Sequence, residues 1–429
     1  MSYNDLPEPN LNHPDSCIRL ASAVHRFQFP QIRRTVAFST SFRTAAAQFL
    51  TTRTAMKRAD DHRTQLQAAL SASTISGERV DAEAARYQPF LSQILLTCQV
   101  QPEVARLDER LLFTWSSGLE STSEKPTEYA SEALMYDVVM VIACRGLAKA
   151  ATATEASVAG DFAAANREYN AAAGIIQFLA HDHLPKWIAK GTNVEDAKLP
   201  TEASIGVCEA MTQLFLANAQ QMAVSLLLLK PGTPNYSLLS KLCLGISERY
   251  HSFVSILRKQ AFLQMGRMGK DVFALTTFQT TLQQALSQYF QARDLWEKQE
   301  YGLAIAILGE AKLALNTRPH AAAIGMPDII KGSPLTALSK DLMDLKAHMG
   351  LVLKQWEQDN SNCYFEKVPA KVPEEVKLST GIQLNKIVTY QLDNVDPLPL
   401  SLPDETLKRS DSDLARELQD EMNQEEFEA

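Results

Sequence analysis

From about Phe42 to Trp356, apolar residues recur at spacings of three, four and seven, a rhythm that confines the chain to helices burying one face. Two stretches show it well. Leu275, Phe278, Leu282, Ala285, Leu286, Tyr289 and Trp296 fall on one helical face. Leu338, Leu342, Leu345, Met349, Val352 and Trp356 do the same, preceded by Ser333 as an N-cap hydroxyl and Pro334 as a first-turn proline. Val158–Tyr169 and Glu297–Leu308 each join helical patterns through a short polar turn and then start a helix with small residues. That is the pattern of tetratricopeptide-like hairpins without a fixed repeat. The expected fold is mostly all-α, an elongated, curved body of stacked helical hairpins.

The ends read differently. Residues 1–33 carry four prolines and are expected to form a loose lead-in. Thr35–Thr40 is the nearest thing to a short β segment. After Asn360 the prolines of Val368-Pro369, Val372-Pro373 and Pro397–Pro403 rule out a continuing helix and predict an extended strap packed along the body. The expected main domain covers 34–402. Residues 404–429 hold ten acidic and three basic side chains, so this tail carries seven of the chain's eight net negative charges. Its charge favours disorder, although Leu414, Leu418 and Met422 are spaced for a short amphipathic helix able to cover a groove.

Composition excludes several function classes. The near-neutral body offers no electrostatic footprint for nucleic acid. The longest apolar runs, Val138–Cys144 and Val224–Leu229, fall short of the roughly 20 residues that span a bilayer, so no transmembrane segment is expected. Cys17, Cys98, Cys144, Cys208, Cys243 and Cys363 are scattered singly, which fits reduced thiols rather than a disulfide framework or a zinc site. The polar N-terminus does not read as a signal peptide, and a cytoplasmic location is expected. On that reading the glycosylation sequon at Asn235-Tyr-Ser237 is silent.

Motifs for chemistry are missing. Gly266–Asp271 has the glycines of a phosphate loop but places Gln264 where its first glycine belongs and Asp271 where magnesium needs a hydroxyl. His181-Asp-His183 offers two imidazoles that do not share a helix face, and reads as a solvated turn. No GxSxG, HExxH or GxGxxG string occurs. The chain is therefore read as no enzyme, with no cofactor and no metal.

Four segments resemble the Bro-one domain family, whose members include Alix and BROX. They are Leu111–Trp115; Ala172–Leu179 with His183–Lys186; Asn218-Ala-Gln220-Gln221 followed by Leu238–Leu242; and Asp359–Pro369, which is similar to the string that closes the family's helical body. The resemblance implies a curved helical domain whose concave side binds the C-terminal amphipathic helix of an Snf-seven-type ESCRT-III subunit, as an adaptor in endosomal sorting or membrane remodelling. It matches Leu238 and Leu242 to two apolar contact residues, while leucines at this spacing also serve as ordinary core. Met222 and Ala223 stand where a valine-phenylalanine pair is usual. Ala159 and Ala163 replace an acidic and basic pair, which leaves open a partner outside ESCRT-III. Tyr364 matches a tyrosine in a second surface pocket that can be phosphorylated, against the alternative of a packed ring. The chain ends without a prenylation box, so membrane association is expected only through partners that recruit it to endosomes.

Overall fold

Leu275, Phe278, Leu282, Ala285, Leu286 and Tyr289 lie buried along one face of a single helix, with Trp296 half-buried near its end. Leu338, Leu342, Leu345, Met349, Val352 and Trp356 line the buried face of another. The computed structural model describes residues 13–121, 126–189, 198–316, 334–384 and 387–402. In chain order the helices are α1 (Asp15–Ala21), α2 (Phe38–Ser41), α3 (Leu50–Leu70), α4 (Gly77–Val100), α5 (Leu134–Val158), α6 (Phe162–Phe178), α7 (Leu184–Ala189), α8 (Ile205–Leu229), α9 (Tyr236–Gln260), α10 (Phe262–Arg267), α11 (Lys270–Glu297), α12 (Tyr301–Ala314) and α13 (Pro334–Asp359). The long helices pack in succession, α3 on α4, α4 on α5, α5 on α6, α6 on α8, α8 on α9, α9 on α11, α11 on α12 and α12 on α13. This succession makes an elongated stack of helical hairpins.

The turn grammar holds at both segments singled out. Gly160 takes a left-handed φ of +83° at the α5–α6 corner, and Asp161 then caps α6 by accepting a hydrogen bond from the Ala164 amide. Between α11 and α12, Gln299 adopts φ +67°.

A small antiparallel sheet orders β1 (Gln31–Ile32), β2 (Phe113–Ser116) and β3 (Glu128–Ser131). The β segment is thus displaced from the expected Thr35–Thr40, part of which becomes α2. The Asp60 carboxylate draws that segment into a helical turn by accepting from the Phe38 and Ser39 amides at 2.6 and 3.1 Å. Trp115 of β2 is fully buried and donates its indole N–H to Asp137 at 2.7 Å. Asp137 also accepts from the Tyr87 hydroxyl at 2.7 Å and pairs with the buried Arg63 at 3.3 Å. One carboxylate therefore joins α3, α4, α5 and the sheet.

The described part of the lead-in is packed rather than loose. Cys17, Leu20 and Ala21 are fully buried, and α1 lies against α8, α11 and α13. The free apolar face of α13 explains this, since a short amphipathic segment can cover it. The second departure concerns His181–His183, which forms a π-helical turn continuous with α6 and α7 instead of a solvated corner. His183 is buried edge-on against Phe178 at 5.2 Å, and burial holds its imidazole down at about 4. Ser333 and the tail residues Leu414, Leu418 and Met422 lie outside the described residues.

By length and composition α8 could cross a bilayer, although runs of consecutive apolar residues did not reveal it. Here it is mostly buried between α6 and α9, which accounts for its apolar character.

After α13 the chain runs extended along the stack in reverse order. The Val376 carbonyl accepts from Gln291 of α11, the Ile382 amide donates to Lys241 O of α9, and the Tyr390 hydroxyl meets Arg145 of α5 and Gln88 of α4. Leu398 then buries beside α4 and Leu400 against Ala45 and Ala46 ahead of α3, where Gln101 bonds the strap backbone and Thr52 reaches Pro399 O.

Candidate functional site

Four consecutive leucines close α8, and a helix end cannot turn all of them inward. Leu228 enters the core, Leu226 and Leu227 are half-buried, and Leu229 is 55% exposed. Pro231 follows and Gly232 turns at φ +97°, so the helix stops with this surplus on its surface. Asn235 restarts the chain as the cap of α9, its side chain accepting from the Leu238 amide at 2.9 Å. Ala223, Leu226, Leu227, Leu229, Pro231 and strap residue Leu384 wall an open groove of about 490 Å³ that is almost wholly apolar, with Lys230 at its edge.

The four expected contact residues part company here. Ala223 lines the groove and Leu238 is half-buried on the first turn of α9. Met222 and Leu242 are 0% exposed and belong to the core beneath, so neither offers a surface to a ligand. The physical reason is helical phase. One residue away from Ala223 turns Met222 by about 100° into the body, and Leu242 shares the inward face of Leu239 and Ile246.

The polar string Asn218-Ala-Gln220-Gln221 is scaffolding. Gln220 donates to Leu242 O at 2.9 Å and to the strap carbonyl of Ile382 at 2.7 Å. Gln221 donates to Ala21 O at 2.7 Å and accepts from the Tyr250 hydroxyl at 2.6 Å. These bonds fix α1, α8, α9 and the strap around the groove's floor.

Tyr364 stands on a second surface. Asn360 ends α13 by donating to Glu366 O and accepting from Glu366 N, both at 2.9 Å, and Phe365 turns the chain at φ +55°. The Tyr364 ring stacks on Tyr301 with centroids 3.7 Å apart, beside Trp296, which itself stacks on Trp356 at 4.3 Å. The hydroxyl remains at the surface, the residue being 43% exposed, and its hydrogen bond with Tyr301 raises its pKa.

The sequence reading missed Leu226, Leu227, Leu229 and Leu384. The unbroken leucine run was the available signal for the first three, because burial on every side of a helix terminus is not possible. Leu384 had none, since its position depends on where the strap crosses.

Residues 31–410 match the BRO1-like domain family. No curated protein matches the chain. Among solved structures, the fold is similar to that of an ALIX BRO1 and CHMP4C complex, with TM-score 0.62, 16% identity, and coverage of 87% of this chain and 95% of that one. A structure described as the basis for endosomal targeting by the Bro1 domain gives TM-score 0.65 at 16% identity, covering 86% and 93%. ALIX in complex with the SIVmac239 PYKEVTEDL late domain gives TM-score 0.66 at 14% identity, where the match spans 86% of this chain and 49% of ALIX. With the family model covering most of its length, the chain belongs to the BRO1-like domain family.

Proposed function

We propose that this chain is a non-enzymatic adaptor whose groove at the α8–α9 turn receives the apolar face of an ESCRT-III subunit's C-terminal amphipathic helix, in endosomal sorting or membrane remodelling. The observation that carries the reading is the apolar groove walled by Ala223, Leu226, Leu227 and Leu229. Such a surface suits helix-in-groove recognition, in which leucines and methionines three and four residues apart fill one trough. Family membership and the likeness to the ALIX BRO1 and CHMP4C complex support it. In this proposal Ala223 and Leu238 contact the ligand, while Met222 and Leu242 hold the groove's floor. The adaptor is cytoplasmic and reaches endosomes through its partner.

Fluorescence-anisotropy titration of labelled Snf-seven-type C-terminal helices tests the reading, beside an Ala223→Glu, Leu229→Asp variant with unchanged circular dichroism. Saturable binding lost in that variant supports it. If none of the peptides binds, with or without residues 404–429, the groove serves a different helical partner. The exposed small residues Ala159 and Ala163, where a charge pair would steer association, favour that second reading.

Tyr364 is proposed as a tyrosine-kinase acceptor on the strength of its surface hydroxyl. Phosphate incorporation by a purified kinase should disappear in Tyr364→Phe, and persistence elsewhere would remove this assignment.

A further inference from the structure

At the far end of α9 from the groove, the chain exposes two large apolar side chains side by side. Phe262 is 72% and Leu263 68% exposed, on the first turn of α10. Their exposure turns both side chains outward from the body. The segment 251–270 holds Arg258, Lys259, Arg267 and Lys270 and no acidic residue, with Asp271 directly after it pairing with His25, in a body that is otherwise near-neutral. Arg267 is committed to Glu120, Tyr129 and the Leu199 carbonyl, but Arg258, Lys259 and Lys270 are exposed and form no ion pair with any described residue. One turn behind Phe262, a recess of about 290 Å³ between α9 and α11 is lined by His251, Arg258, Lys259 and the threonines 277, 280 and 281.

We propose that this corner docks directly on an anionic lipid bilayer, with Phe262 and Leu263 entering the interface, Arg258, Lys259 and Lys270 meeting headgroups, and the recess seating one headgroup. Exposed aromatic and aliphatic residues flanked in the chain by exposed cations are what an interfacial membrane contact requires. A protein groove-binder would instead meet a concavity, and free cations beside an apolar tip complement a negatively charged plane. From Leu238 to its last residue, Gln260, α9 runs 22 residues, roughly 33 Å at 1.5 Å per residue, before the chain breaks at Ala261 into α10. A helix bound in the α8–α9 groove and a membrane at α10 would not compete. The inference stands whether or not that groove takes an ESCRT-III helix, and it adds direct contact to recruitment through a partner.

The test is co-sedimentation of the full chain with vesicles of phosphatidylcholine alone and of phosphatidylcholine with 30% phosphatidylserine, at low and high salt. Binding to the anionic vesicles that weakens with salt is expected. Phe262→Asp with Leu263→Asp should lower the partition constant on the order of 100-fold, from two apolar side chains no longer buried. Arg258→Gln with Lys259→Gln should lower it about 30-fold, from two lost cations. Phe262→Trp keeps the wedge and reports its depth. Its emission should shift to the blue on anionic vesicles and be quenched by brominated lipid, against a flat baseline from the unsubstituted protein. Failure of the unsubstituted protein to sediment with anionic vesicles overturns the proposal and leaves the corner to a protein partner. Undiminished sedimentation of the double Asp variant, or emission from the Phe262→Trp variant that brominated lipid leaves unquenched, overturns it as well.

Discussion

The carbonyl oxygen of Ile382 occupies the space that a β-carbon on Gly245 would need. The same holds for Val388 O over Gly174 and Lys367 O over Gly302, so three helices each present a bare backbone where the strap crosses. Gly245→Ala must push the strap off α9, losing the Ile382 amide bond to Lys241 O and the Gln220 bond to Ile382 O. A destabilisation of roughly 1–3 kcal/mol is expected, together with faster proteolysis between residues 370 and 400. Gly309→Ala, where a β-carbon meets nothing within 4 Å, should instead stabilise by up to about 1 kcal/mol. Urea unfolding of the pair separates strap displacement from helix propensity.

Asp137→Ala strands Arg63 with 2% side-chain exposure and leaves the Tyr87 hydroxyl and Trp115 indole without their acceptor. Breaking such a buried pair by removing one partner costs about 3–5 kcal/mol. The urea midpoint should fall accordingly. An unchanged midpoint would mean that the carboxylate does not hold the sheet to α3, α4 and α5.

Acid should weaken the fold well before carboxylates titrate. Burial holds His183 and His348 at about 4, below the ordinary 6.5. Between those values the unfolded chain binds the protons that the folded one refuses, so stability is lost as pH falls from 6.5 and levels off below about 4. For the well-buried His183, whose two ring nitrogens have no hydrogen-bond partner, the shift is worth up to roughly 3 kcal/mol. His183→Leu should flatten the thermal-melting profile over that range, and an equally steep profile would show that other groups set it.

Asn360→Ala removes both bonds that turn α13 into the strap, and Glu366, whose carboxylate accepts from the Gly302 amide, loses its backbone anchor. A loss of about 1–3 kcal/mol is expected, with deuterium exchange rising first over 364–369. Exchange confined to other segments would assign the corner's stability to the Tyr301 and Tyr364 stack.

Helical faces were legible because period is a local property, and the two stripes through Leu282 and Leu345 are both buried as read. Proline punctuation likewise revealed the strap. The phase of Leu242 was not legible, because an i, i+4 pair fits a core and a groove equally and only the neighbouring helix decides. For α1 the obstacle was different. Four prolines in residues 1–33 masked a short helix whose burial depends on α13, some 300 residues further along the chain. His183 failed for a related reason, since its burial depends on a π-helical turn that adds a residue and shifts the face.

The bond from Thr52 to Pro399 O joins positions 347 residues apart. A stack in which each helix touches only its neighbours could assemble as it leaves the ribosome, one hairpin after another. Here the apolar seats for Leu398 and Leu400, on and beside the first hairpin, stay empty until residues 398–400 have been synthesised. Truncation anywhere before residue 396 would therefore be felt at the opposite end of the molecule, where the earliest helices are synthesised first and finished last.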